Sequence, residues 1–263
     1  MALDLANYDA LARKGVQQFW AGRSKALSDD ETERSQGGER ANVLAGKNMD
    51  GFLEMISGLV AKNGLADAMI YTSGRPDLTL PGYFRPTKLW DVIVMDGQRL
   101  VAAIELKSHV GSFGNNFNNR TEEAIGTACD LSTGIREGIL NDQSPPFLGW
   151  LILVEDNEES RRSTQLNSKH FEVHPEFIAA PEALLLANTN KKALKPKLVG
   201  YLERYEILCR RLMQEKLYNR ACVMPSPRSA AEDGAYGEMS DSTNLKSFVA
   251  GLAGHVAAWA AQR

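Results

Sequence analysis

Lys88-Leu-Trp-Asp-Val-Ile-Val-Met-Asp-Gly-Gln-Arg-Leu-Val-Ala-Ala-Ile-Glu-Leu-Lys-Ser-His-Val110 is the stretch on which the fold turns. Two apolar, β-branched runs, Val92 to Met95 and Leu100 to Ile104, flank Asp96-Gly97. Asp-Gly between such runs is a strong hairpin signal, because a two-residue turn of the favoured hand needs positive φ at its centre. The stretch predicts a buried antiparallel hairpin. Three charges stand where that pattern asks for apolar residues: Asp91 ahead of the first run, and Glu105 and Lys107 at the end of the second. Alternation along a strand puts Glu105 and Lys107 on one face and turns Leu106 into the core, with Asp91 near the hairpin's open end. Burying two carboxylates and an ammonium at a sheet edge is unfavourable by several kcal/mol unless they pair or bind a metal. A functional site explains them. The alternative is a Glu105/Lys107 pair at a strand terminus with Asp91 an unrelated turn residue, since D…ExK is a short pattern.

A chain of 263 residues with 43% hydrophobic content can bury a sizeable core as one large domain or two small ones. No apolar run approaches about 20 residues, and the N-terminus lacks a basic-then-apolar leader pattern, so a soluble, cytoplasmic protein with no membrane partner is expected. Cys129, Cys209 and Cys222 are odd in number, dispersed and free of any CxxC spacing. They support neither a disulfide framework nor a zinc site. The net charge of −3 does not advertise nucleic-acid binding, although a global balance says nothing about where basic residues gather.

Along the chain, helical spacing of Tyr8, Leu11, Ala12, Val16, Phe19 and Trp20 predicts a first helix from Asp4, its N-cap, to Trp20. Residues 28–48 are polar and glycine-rich and read as a long loop, where Gly37-Gly38 would let backbone approach a ligand beside Glu39, Arg40, Lys47 and Asn48. A helix over Met49–Lys62 follows, with Glu54 on its polar face, then a short strand over Met69–Thr72 and turn-rich connections into the central hairpin. The asparagine-rich run Gly111–Arg120 reads as a loop leading to a helix from Arg120 to Ile139, capped by Asn119 with Glu122 three residues on. That helix would turn Ala124, Ile125, Ala128, Leu131 and Ile135 inward. Phe147–Val154, bounded by Pro145-Pro146, has the continuous apolar character of a central strand covered on both faces.

The remainder reads as mostly helical. Between Lys191 and Arg228 there are ten Lys and Arg against three Glu. A helix over Lys197–Tyr218 would bury Leu198, Tyr201, Leu202, Tyr205, Leu208 and Leu212 and show Arg204, Arg210, Arg211 and Lys216 to water or to phosphates. Residues 225–242 read as a linker or mobile loop, and Leu245–Gln262 as a last amphipathic helix with Leu245, Phe248, Val249, Leu252, Val256 and Trp259 along one stripe.

The element order and the three hairpin charges resemble the layout of PD-(D/E)xK nucleases. More specifically, Arg85-Pro-Thr-Lys-Leu-Trp-Asp91, Val101-Ala-Ala-Ile-Glu-Leu-Lys-Ser-His-Val-Gly111, Phe113-Gly-Asn-Asn-Phe-Asn-Asn-Arg120 and Glu122-Glu-Ala-Ile-Gly-Thr127 resemble the XhoI family of type II restriction endonucleases. Met1-Ala-Leu-Asp-Leu5, Arg34-Ser-Gln-Gly-Gly-Glu-Arg40, Asn48-Met-Asp-Gly-Phe-Leu53 and Gly149-Trp-Leu-Ile-Leu-Val-Glu-Asp156 carry the likeness further. It is close over residues 1–156, persists through Tyr201-Leu-Glu-Arg-Tyr-Glu206 and fades in the last fifth. Trp90 stands where the named motif has proline.

The resemblance implies an α/β fold with a restriction-endonuclease-like PD-(D/E)xK core, a mixed β-sheet flanked by helices, and helical N- and C-terminal additions. The expected divisions are residues 1–48, a nuclease core over 49–156 and a mostly helical part over 157–263, packed as one compact domain. The implied function is Mg²⁺-dependent cleavage of both strands of DNA at the palindrome CTCGAG, leaving 5′-phosphates, by a homodimer. Asp91 and Glu105, with the backbone carbonyl of Leu106, offer hard oxygens suited to Mg²⁺; Lys107 would orient the attacking water. Glu54 is a candidate accessory acid, and His109, two residues past Lys107, reads as a loop histidine of the kind that is more often incidental. Asn115, Asn116, Asn118 and Arg120 are candidate base readers, with Glu39 and Arg40 beside them, because Asn pairs with adenine and Arg with guanine in the major groove. The apolar stripe of the last helix, then that of the Tyr201–Leu212 helix, are the candidate dimer surfaces. The competing readings are a structure-specific repair or recombination nuclease and a catalytically silent DNA-binding protein on the same core.

Overall fold

A computed structural model describes residues 2–5, 7–32, 49–141, 143–168, 170–180 and 196–263. At its centre the predicted hairpin forms: β4 (Val92–Asp96) pairs antiparallel with β5 (Arg99–His109) through Asp96↔Arg99 and Val92↔Ile104. Gly97 at the turn has φ of 59°, a conformation that favours glycine. The register shifts between Val94↔Ala102 and Met95↔Leu100, so Val101 is one residue too many, and β5 runs past the end of β4. Outside the hairpin lie β1 (Met69–Tyr71), antiparallel to β4, and β6 (Phe147–Glu155), parallel to β5.

A fifth strand, Arg220–Ser226, lies parallel to β6 and ends the sheet. This strand was not expected from the sequence, which placed it between a basic helix and a linker. It is only seven residues long and contains Pro225, a residue sheets tolerate mainly at an edge, and this strand is an edge. The five strands therefore form one mixed sheet drawn from both sides of residue 156, and a division there cuts across it.

Helices cover both faces. On one, α1 (Tyr8–Thr32), α2 (Leu53–Lys62) and the C-terminal helix (Leu245–Ala260) bury Phe19, Met55, Leu59 and Phe248 against Val92, Ile104, Leu106 and Leu151. On the other, α3 (Phe113–Arg136), and a helix over Tyr201–Gln214, pack Ala128, Leu131, Tyr205 and Leu208 on Ile93, Trp150, Ile152 and Val223. Every residue of β6 is buried, its side chains alternating between the two cores, as a doubly covered strand requires. Between these layers run small elements: a hairpin of β2 (Thr79–Pro81) and β3 (Thr87–Leu89), α4 (Glu158–Arg161), and β7 (Thr164–Gln165) paired with β8 (Lys197–Leu198). In chain order the remaining elements are α5 (Tyr201–Gln214), β9 (Arg220–Ser226), α6 (Ala230–Asp233) and α7 (Leu245–Ala260).

Several local expectations are corrected. The first helix starts at Tyr8, with Leu11 N–H bonded to the Asn7 carbonyl, while Asp4 is clasped instead by Asn63, through its N–H to Oδ1 at 3.1 Å and its carbonyl from Nδ2 at 2.7 Å. It then runs to Thr32, into the segment read as loop; no glycine or proline stands between Gly22 and Gly37, and a formed helix extends through polar residues at little cost. The remaining loop reading, with Gly37, Gly38, Glu39, Arg40, Lys47 and Asn48, lies outside the described residues.

The asparagine run is no loop. α3 begins at Phe113, after Ser112 in a left-handed conformation (φ 47°), so Asn119 and Glu122 lie inside the helix and form no capping box. Burial of Phe113, whose ring stacks on Tyr201 at 5.6 Å, outweighs the poor helix propensity of four asparagines. Ile125 is 42% exposed, because the inward stripe is Ala124, Thr127, Ala128 and Leu131, and Ile125 is turned one helical step away.

On α5, Arg204 is buried rather than exposed, donating to the Val199 carbonyl at 2.9 Å and to Thr164 Oγ1, with its guanidinium 4.3 Å from the centre of the Tyr201 ring. Arg210 and Arg211 pair with Glu176 at 3.2 and 2.9 Å. Residues 225–242 are tied down, not a linker: Gly237 N–H bonds the Pro225 carbonyl at 2.7 Å, and Ser226 Oγ joins the Ala235 carbonyl to the Trp20 indole. The stripe of α7 is core, with Leu245, Phe248, Leu252, Val256 and Trp259 all buried in this chain, and so are Leu202, Tyr205, Leu208 and Leu212 of α5. Neither stripe is free to form a dimer interface. Phe248→Ala is accordingly expected to lower unfolding free energy by about 3–5 kcal/mol, read from the urea midpoint, with no change in sedimentation of the folded protein.

Candidate active site

Because β5 outruns β4, its last residues project beyond the ladder, and alternation sends Glu105, Lys107 and His109 toward the α3/α5 face while Leu106 enters the opposite core. Asp91 reaches the same place from the other strand. Trp90, buried and bonded from its backbone N–H to the Leu78 carbonyl at 2.8 Å, anchors the backbone just ahead of it. Asp91 Oδ2 then accepts from Leu106 N–H at 2.8 Å and from Lys107 Nζ at 3.0 Å. A strand residue points its N–H and carbonyl to the same side, so the Leu106 carbonyl also faces Asp91.

Lys107 Nζ forms an ion pair with Glu105 Oε2 and lies 3.4 Å from Glu123 Oε1 of α3. The other Glu105 oxygen accepts from Lys88 Nζ at 2.7 Å. Lys88, the middle residue of β3, also bonds the Leu89 carbonyl and sits 5.5 Å from the centre of the Trp90 ring. Exposure is graded: the side chains of Glu105, Lys107 and Lys88 are 1%, 12% and 16% exposed, and that of Asp91 is 37%. Asp91 is thus the mouth of the cluster and Glu105 its floor.

Burial alone would pull the Lys107 ammonium down, but Glu105, Asp91 and Glu123 together outweigh it and hold its pKa above the usual lysine value. Lys107 is therefore protonated at any working pH. Burial pushes the Glu105 carboxyl upward, against which Lys107 and Lys88 pull. Glu123 is likewise desolvated, yet Lys107 and then Arg120, 2.7 Å away, bring its pKa below the ordinary carboxylate value.

The donor set suits a hard divalent cation. Asp91 receives both of its hydrogen bonds on Oδ2, leaving Oδ1 without one among the described residues. Glu105 is a buried carboxylate whose charge is met, among the described residues, by the ammonium groups of Lys88 and Lys107. Among the described residues no three His, Cys, Asp or Glu side chains gather as a metal-binding group; Mg²⁺-like ions need only one or two carboxylates and keep several waters.

Of the residues singled out from sequence, Asp91, Glu105, Lys107 and Leu106 come together. Glu54 does not join them: it lies on α2, on the opposite face of the sheet, half exposed and paired with Lys14 at 2.7 Å. Asn115, Asn116 and Asn118 are exposed along the first turns of α3, and Arg120 is paired with Glu123. His109 is buried, with Nδ1 2.5 Å from the Tyr205 hydroxyl and its ring 4.7 Å from that of Phe113. Lys88 and Glu123 were missed. Lys88 turns inward between exposed Thr87 and Leu89, which shows only once β3 is folded, and Glu123 could be placed only once α3 was docked.

The family model described as Restriction endonuclease XhoI matches residues 28–184 and 192–238. The chain is 64% identical over 214 residues to the type II restriction enzyme XhoI of Xanthomonas vasicola, spanning 81% of this chain and 78% of the relative. It is 53% identical over 173 residues to AbrI of Azospirillum brasilense (65% of this chain, 77% of the relative) and 39% identical over 230 residues to BstVI of Geobacillus stearothermophilus (85% and 93%), both type II restriction enzymes. No solved structure is significantly similar to it. With this mixed sheet and its cluster of two carboxylates and a lysine, the chain belongs to the XhoI family of type II restriction endonucleases.

Burial pushes the His109 pKa down to about 4 from 6.5. A histidine whose folded pKa lies below its unfolded one is held neutral in the fold, so stability is complete above the unfolded value and falls as pH drops from about 6.5 toward 4. Urea midpoints taken at pH 7, 5.5 and 4.5 should fall more steeply for the parent protein than for His109→Gln.

Proposed function

We propose that the chain is a Mg²⁺-dependent endonuclease of the PD-(D/E)xK type that cuts both strands of DNA within CTCGAG and leaves 5′-phosphates. The observation that carries this reading is the convergence of Asp91, Glu105 and Lys107 at the open end of the central hairpin, with Lys107 Nζ between the two carboxylates. Membership of a family whose relatives are named type II restriction enzymes supports it.

Asp91, Glu105 and the Leu106 carbonyl would hold the ion, which when bound supplies Lewis acidity toward the attacking water and the scissile phosphate. Glu105 is held in place by burial and by Lys88. Lys107 donates from Nζ to the attacking water, orienting it in line with the P–O3′ bond, and its charge stabilises the negative charge that grows on the phosphate oxygens. Attack of the water's oxygen at phosphorus forms the new P–O bond and breaks P–O3′; the water's proton passes to solvent and the departing 3′-oxygen takes one from solvent, leaving a 5′-phosphate and a 3′-hydroxyl. Asn115, Asn116, Asn118 and Arg120 line the N-terminal half of a helix, a shape the major groove admits, and bring amide and guanidinium groups to base edges. The reading places the protein in the cytoplasm, with the DNA; among the described residues no helix is long and apolar enough to cross a membrane.

A plasmid with one CTCGAG should be linearised with Mg²⁺ and stay intact with a chelator. Asp91→Asn, Glu105→Gln and Lys107→Met should each cut at least a hundred- to a thousand-fold more slowly, by analogy with loss of one transition-state donor. Lys107→Met should still select a CTCGAG duplex in Ca²⁺. Near-parental cutting by any of the three overturns the assignment.

A palindrome has two-fold symmetry, and one such site cuts one strand, so the functional unit is a homodimer. Sedimentation at micromolar concentration should give twice the chain mass of 28.9 kDa. A monomer both free and on a CTCGAG duplex, nicking one strand at a time, rules it out.

A further inference from the structure

The loop joining β2 to β3 carries Tyr83 and Phe84, 51% and 71% exposed, with their rings edge to face at 4.9 Å. Exposed aromatic rings are common singly. These two are adjacent, paired and held by a built support. Asp130 of α3, itself buried, accepts the Tyr83 and Phe84 N–H groups on one oxygen at 2.8 and 2.7 Å and Arg85 Nε on the other at 2.7 Å. Gly82 lets the loop lie that close, since a Cβ there would be 2.3 Å from Asp130 Oδ2. A loop with one carboxylate spanning three donors is a rigid mount, and what it mounts is two rings facing water.

The mount is continuous with the candidate active site. Glu123, Thr127 and Asp130 follow one another along one face of α3; the first contacts Lys107, the second Arg85 at 3.4 Å and the third the loop. The other end of the hairpin delivers Lys88 to Glu105 and leads through Trp90 to Asp91. Lys88, which bonds Glu105, lies four positions after Phe84, so at about 3.3 Å per residue the tip stands on the order of 13 Å along the chain from the cluster. That is three to four base pairs at about 3.4 Å each, within the reach of a six-base-pair site whose backbone lies at Asp91. Arg85, whose side chain is 40% exposed beside the rings, is placed to meet a phosphate of the same duplex.

We infer that the Tyr83–Phe84 tip is a wedge against the base stack of the bound DNA, with Phe84 entering a base step and Tyr83 bracing it. The inference rests on the endonuclease reading and adds to it a residue that distorts or selects the site. Apolar side chains inserted between bases unstack the step locally and favour steps that unstack easily. Such a contact therefore contributes to selectivity at a position where no polar side chain need touch a base edge.

The test uses the full-length protein in Ca²⁺, with CTCGAG duplexes carrying 2-aminopurine in turn at each adenine of the site and at flanking positions. Binding should raise its fluorescence at one position, and Phe84→Ser should abolish the rise and weaken binding roughly 10- to 100-fold, with the thermal midpoint unchanged because the ring is exposed. Asp130→Asn, which loosens the mount and keeps the rings, should give a smaller fluorescence rise and an intermediate affinity. Parental affinity for Phe84→Ser, or no rise at any position while the parent protein binds, overturns the wedge. So does dissociation of a DNA-free dimer by Phe84→Ser, which would make the tip a subunit contact. Plasmid cleavage by the parent protein tests the endonuclease reading separately, so the two fail in distinguishable ways.

Discussion

The Glu105 carboxylate, 1% exposed at the end of a central strand, is the constraint around which the molecule is arranged. A charge so placed is unfavourable by several kcal/mol unless it is met in kind, and here Lys107 meets one oxygen and Lys88 the other. Each lysine is held by a different element. Lys107 shares Glu105's strand and face; Lys88 comes from β3, which must fold back along Trp90 to deliver it. The irregular connection between the first strand and the hairpin therefore has a physical reason for its course. Apolar residues in place of all three charges would pack at least as well, so the cluster is explained better by chemistry than by stability.

The sheet separates that chemistry from the bulk of the apolar packing. α1, α2 and α7 seal one face with side chains such as Phe19, Met55, Leu59 and Phe248, and the other carries both a core and the polar cluster. α3 joins the two roles. Ala124, Ala128 and Leu131 seat it on the sheet, while Glu123, Thr127 and Asp130 on its flank reach Lys107, Arg85 and the aromatic loop. A displacement of this helix would be felt at the ammonium and at the loop together, because both are bonded to it directly.

The hairpin, its Asp-Gly turn, the buried central strand and the joint placement of Asp91, Glu105 and Lys107 were all legible in the sequence. They follow from a period of two, a turn needing positive φ and charges breaking an apolar pattern, and each of these is local. The start of α3 was misread because asparagines favour caps and turns, and only the pocket formed by Tyr201 and His109 for Phe113 overrides that preference. β9 was missed because a short run with Pro225 shows little strand character until β6 lies beside it. The basic helix face was taken as water-facing when Arg204 is buried, since the Val199 carbonyl and Thr164 that satisfy it are brought there by a separate strand pair.

What the sequence by itself determined is which residues form the hairpin and which charges share its open end, since backbone alternation alone dictates both. Glu54 shows the limit: a polar face on the correct helix told nothing about which side of the sheet the helix would cover, and it covers the side away from the site. Lys88, Glu123 and the Asp130 support of Tyr83 and Phe84 were decided only by tertiary structure. Their partners lie 17, 16 and about 46 residues away, and side chains so far apart in the chain meet only where the docking of helices on the sheet brings them.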